Sequence, residues 1–112
     1  MKNISGKFHD SNTFEVILKN DTFTLKAINE KSEKIQIDFV FIKYLNVSDL
    51  LKENIIFGIY QLNDVNDIQV FNEYSISNEL IEKINEGKLS LFTIESSYGI
   101  QAIIVSESYL IT

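Results

Sequence analysis

Apolar and polar residues alternate with a period of two along much of this chain, the pattern of strands that turn one face to a core. The run from Ile35 to Leu45 is the most apolar and the richest in β-branched and aromatic residues. One face of it carries Ile35, Ile37, Phe39, Phe41, Lys43 and Leu45, the other Gln36, Asp38, Val40, Ile42 and Tyr44. The second face begins polar and turns apolar at Val40. The run therefore reads as a long central strand that enters the core as it proceeds, with a bend near Asp38.

The residues before it read as an antiparallel meander with one solvated face. A short strand is expected over about Ile4 to Phe8, then a turn at His9-Asp10-Ser11-Asn12. Thr13 to Lys19 places Phe14, Val16 and Leu18 on one face. Asn20-Asp21 fits a tight hairpin turn, although the preferred Gly is missing. Thr22 to Ile28 then alternates with Phe23, Leu25 and Ala27 inward, and polar Asn29 to Lys34 supplies the next turn.

The pattern changes after Leu45. Asn46 to Asn54 fits one or two helical turns, with Ser48 as N-cap, Leu50 and Leu51 packed inward and Asn54 at the end. Ile55 to Leu62 returns to strand, and Gly58 inside it predicts a bulge or a close backbone approach. Asn63 to Asp67 reads as a turn and Ile68 to Phe71 as a further strand. The strongest helix signal follows. Ser77 is a good N-cap, Ile76 and Ile81 fit a hydrophobic staple, and Leu80, Ile81 and Ile84 form an apolar stripe. Glu79 and Lys83 are an i,i+4 pair, and Gly87 is placed to end the helix. Leu89 to Glu95 and Ile100 to Val105 form a hairpin, and Tyr109 to Ile111 adds a short edge strand. The fold class is α+β, predominantly antiparallel, with about seven or eight strands. The sheet is curved, a sandwich or a half-barrel, with one clear helix and one short one. At 112 residues the whole chain is expected to be a single domain.

Composition removes several function classes. There is no cysteine, hence no disulfide frame and no thiolate metal site. No apolar run approaches the ~20 residues that span a bilayer. The N-terminus lacks the apolar stretch of a signal peptide, so a cytoplasmic location is expected. All ten basic residues are lysine, and the lack of arginine argues against direct nucleic-acid binding. The net charge of −6 is uneven: residues 1–48 carry +1 and residues 49–112 carry −7. Asp64 to Glu86 holds six acids (Asp64, Asp67, Glu73, Glu79, Glu82 and Glu86) against Lys83 alone. Such a stretch repels a polyanion and attracts a basic protein.

No motif names a reaction. The sole histidine, His9, lies beside Asp10 and Ser11 in a turn-like cluster, but adjacency in sequence is not a triad. Asp64 with Asp67 lacks the spaced ligands of a calcium loop, and no glycine-rich phosphate loop exists. No catalytic residue, metal or cofactor is expected. Phe57, Tyr60, Phe71, Tyr74, Phe92 and Tyr98 are candidate linings for a ligand cavity.

In overall character, with Asp64, Asp67, Glu73, Glu79, Glu82 and Glu86 as its nearest local support, the chain resembles the immunity proteins of bacterial toxin systems, including those of contact-dependent inhibition. The resemblance implies a small acidic cytoplasmic inhibitor, not an enzyme, that binds and neutralises a basic protein toxin such as a nuclease. It matches no motif and transfers no functional residue. Phage inhibitors of host nucleases share the same character. The alternative from another class is a β-barrel or curved-sheet module that binds a small apolar ligand.

Overall fold

A computed structural model of the chain describes residues 1–62 and 75–112. Its strands, in chain order, are β1 (Lys2–Asn3), β2 (Asn12–Lys19), β3 (Thr22–Ile28), β4 (Lys34–Ser48), β5 (Asn54–Leu62), β6 (Ser90–Tyr98) and β7 (Gln101–Ile111). A 3-10 turn, Gly6–Phe8, follows β1, and a helix, α1 (Asn78–Asn85), precedes β6. The fold is α+β and mostly antiparallel, as the alternation implies. Neighbouring strands run β1-β5-β2-β3-β4-β7-β6, and β6 pairs back onto β5. Strands β2 to β7 therefore close into a six-stranded barrel.

Closure depends on the N-terminal segment. β2 meets β5 only at Asn12 and Thr13, while β1 meets it at Tyr60 and Gln61. Between these contacts the chain continues to bond along the same edge, through Ile4 N to Ile59 O, Asp10 N to Ile56 O and Ile56 N to Ser11 O. The strand expected over Ile4 to Phe8 is thus replaced by two strand residues and a 3-10 turn, which puts Phe8 into the core.

Side chains fill the barrel interior. Phe23, Leu25, Ile37, Phe39, Ile56, Ile59, Phe92, Ile94 and Ile104 are all buried there. The rings of Phe23, Phe39, Phe92 and Tyr109 form a row with successive centroids 6.3, 5.0 and 5.4 Å apart, within the range of favourable aromatic contact. On the outer surface, Leu91, Ile103 and Val105 pack with Ile76, Ile84 and Leu89. That second cluster holds α1 against β6 and β7, and these two strands are buried on both faces.

Five further expectations are corrected. No helix forms over 46–54: β4 runs through Ser48, and residues 49–53 are an irregular connection with Asp49 at φ 57°. β4 does not enter the core as it proceeds; Ile35, Ile37 and Phe39 at its start are buried, whereas Phe41 is exposed. The reason is loss of a neighbour. β3 ends its pairing at Val40, Ile42 N then donates to Asp21 O, and Phe41 takes φ 55° and turns out. The bend is there, not at Asp38. Tyr109 to Ile111 is no separate edge strand but the end of β7, paired with β4. Finally, the shared face expected of Phe14, Val16 and Leu18 is broken: Phe14 is the extra residue of a bulge in β2, Val16 packs against the core, and Phe14 and Leu18 are exposed. The turn and strand expected over Asn63 to Phe71 fall outside the described residues.

Candidate protein-binding surface

The helix is built as its sequence specifies. Ser77 Oγ accepts from Leu80 N at 3.3 Å, and Ile76 is buried beneath the first turn. At the other end Gly87, at φ 79°, donates to Ile84 O, and Lys88 N donates to Lys83 O. Those two bonds make a Schellman cap, which needs a left-handed residue at the position Gly87 occupies.

With Ile84 inward, Glu79, Glu82 and Glu86 stand on the solvent side. Two of the three are partnered. Lys83 Nζ lies 3.4 Å from Glu79, and Lys88 Nζ lies 2.9 Å from Glu86. The hydrogen bond from Lys88, and then its charge, hold the Glu86 carboxyl below the usual value of 4.5, and the same bond raises Lys88. Glu82 has no ion pair among the described residues. The described part of the acidic stretch is therefore less negative than the sequence count implies, because Lys88 lies just beyond it. Asp64, Asp67 and Glu73 lie outside the described residues.

The other candidate clusters do not assemble chemistry. His9 Nδ1 donates to Phe57 O at 2.7 Å, and its Nε2 lies 3.4 Å from Asp10. Ser11 Oγ is buried and donates to Phe8 O, so it does not face the imidazole as a nucleophile. Among the described residues no three acidic or histidine side chains come together to hold a metal ion. Of the proposed cavity aromatics, Phe92 is core, while Phe57 and Tyr98 are exposed. Tyr60 lies over Gly58, where an added Cβ would strike its ring. These four do not line one cavity; Phe71 and Tyr74 lie outside the described residues.

Sequence reasoning missed a second surface. Leu50 and Leu51, expected to pack inward, are 53% and 46% exposed and stand beside Phe14 at 49%. With Thr13, Glu15, Val16 and Asn54 they line a cleft of about 150 Å³. Buried Asn54 fixes its floor. Its Oδ1 accepts from Leu51 N and Ile100 N, and its Nδ2 donates to Leu51 O. A larger cleft of about 390 Å³ opens at the barrel end between Phe8, Lys34, Ile35 and Ile111. The one available signal was Asn54 itself, a polar residue at the head of the apolar run that begins at Ile55. No helix among the described residues is long and apolar enough to cross a membrane. No protein-family model, curated protein or solved structure matches the chain.

Proposed function

We propose that this chain is a non-catalytic inhibitor that binds and neutralises a basic protein, in the manner of the bacterial immunity proteins it resembles. A nuclease toxin acting in the cytoplasm is the partner its charge suits best. The observation that supports this reading is segregation of charge: residues 49–112 carry −7 against +1 in residues 1–48. Exposed carboxylates on α1 belong to that half. Such a surface accelerates encounter with a basic cleft built for phosphates. The side chains of the described residues occupy the barrel interior, which favours the inhibitor reading over the small-ligand alternative.

The test is calorimetric titration for affinity and stopped-flow mixing for association rate, against the product of the adjacent gene, at low and high salt. Tight binding that slows as salt rises supports the proposal, together with loss of the partner's toxicity. Equal association rates at both ionic strengths would mean that the acidic half is only a solvated surface.

A further inference from the structure

We propose that two copies of this chain pair through the outer edge of β2, forming a symmetric antiparallel β2–β2 junction. This inference concerns a surface away from the helix and does not rest on the inhibitor reading. It begins with the backbone. β2 pairs with β3 along its whole length, from Asn12 to Lys19, but with β5 only at Asn12 and Thr13. Past the bulge at Phe14, no strand among the described residues bonds to its other side. An unpaired edge presents ready donors and acceptors, and proteins usually blunt it with proline or inward charges. Here the edge reads Val16-Ile17-Leu18, with Leu18 62% exposed.

The register decides which groups point outward. The Asn20-Asp21 turn joins Lys19 to Thr22 as the closing, hydrogen-bonded pair of a two-residue hairpin. Alternation then aims the N–H and C=O of Lys19, Ile17 and Glu15 at β3, and those of Val16 and Leu18 outward. A second β2 running antiparallel about Ile17 would set Val16 against Leu18 of the other copy, twice by symmetry. About four backbone hydrogen bonds would form.

Charge favours the same register and the same occupant. With Ile17 opposite its own copy, Glu15 falls opposite Lys19 at both ends of the junction. Opposite charges directly across an antiparallel pair stabilise it, and like charges oppose it. A self-complementary strip of this kind is what a two-fold interface requires. Phe14 and Leu50, exposed beside the bulge, would cover the ends of the partner's hairpin.

The test is sedimentation equilibrium of the full chain from micromolar to millimolar concentration. A reversible monomer–dimer equilibrium is expected. Leu18→Pro removes an outward N–H without touching the β3 ladder, so it should give a folded monomer, with folding checked by circular dichroism. Glu15→Lys and Lys19→Glu, each alone, place like charges across the junction and should weaken the dimer by about tenfold. Mixed in equal amounts, the two charge variants should form a heterodimer with restored affinity. Glu15 also lies 3.5 Å from Lys26 of its own chain, so the mixture is the decisive arm. A chain that stays monomeric at millimolar concentration overturns the proposal. So does a dimer that neither charge variant weakens. If Leu18→Pro fails to fold, the mixing experiment decides alone.

Discussion

Asn54 joins three parts of the molecule that are far apart in sequence. Its side chain bonds Leu51 in the connection before β5 and Ile100 in the β6–β7 hairpin, and its backbone N donates to Asn12 Oδ1 in β2. A buried amide with its capacity met rigidifies, and one that is lost leaves its partners unsatisfied. Asn54→Ala should therefore destabilise by about 2–4 kcal/mol in denaturant titration. Gly99 is held to this clamp, since at φ 96° an added Cβ would also strike Asn54. Nearby Thr13 Oγ1 is buried with no hydrogen-bond partner among the described residues. Thr13→Val should be neutral or stabilising by up to about 1 kcal/mol, because it removes an unpaired hydroxyl; a clear loss of stability would show that the hydroxyl is satisfied in solution. Glu33 offers a pH test. Its hydrogen bond from Asn29, then Lys7, holds its carboxyl below 4.5. A depressed folded pKa contributes stability above the unfolded value, and that contribution disappears as pH falls through the folded value. Carboxyl NMR titration should give a midpoint below 4.5 for Glu33, and Asn29→Ala should move it upward.

Elements whose signals are local read correctly from the chain. Asn20 and Asp21, at φ 50° and 61°, make the tight turn that Asn-Asp implies even without glycine. Ser77 and Gly87 cap α1 where their residue types place them, and the bulge next to Gly58 lies in the strand that contains it. Elements that depend on distant neighbours did not read. Ser48, Asp49, Leu50 and Leu51 carry helix signals, but β7 pairs with β4 as far as Ser48 and leaves only five residues before Asn54. A helix that short has too few bonds to sustain itself. Phe41 lies in perfect alternation with Phe39, yet the end of β3 decides where β4 turns. Phe39 and Phe41 thus offer a paired test. Phe39 is fully buried between Phe23 and Phe92, and Phe39→Ala should destabilise by about 3–5 kcal/mol. Phe41→Ser should change stability by no more than about 0.5 kcal/mol, because its ring is exposed. Equal losses in urea titration would contradict this division of β4.

At the scale of the molecule, barrel closure was not legible because it rests on two residue pairs of β2 and two of β1 along one edge of β5, with no sequence signature. The charge imbalance was legible at once, but its local strength on α1 was not. Lys83 and Lys88 each sit within ion-pair distance of a glutamate, and a net count over the acidic stretch leaves Lys88 out. This gives the inhibitor reading a sharper consequence than removal of acids alone. If the field of this half attracts a basic partner, the two lysines oppose that attraction. Exposed ion pairs contribute little to stability, so Lys83→Gln with Lys88→Gln should leave the fold nearly unchanged. The double variant loses two positive charges beside the carboxylates of α1 and its C-terminal end. Its association with a basic partner should quicken at low salt, and the gain should shrink as ionic strength rises. Glu79→Gln, Glu82→Gln and Glu86→Gln together should slow association by the same mechanism. Stopped-flow rates for both variants at several ionic strengths test the pair of predictions. Opposite shifts that converge at high salt support α1 as part of the binding field. Unchanged rates in both variants would place the interface away from the helix.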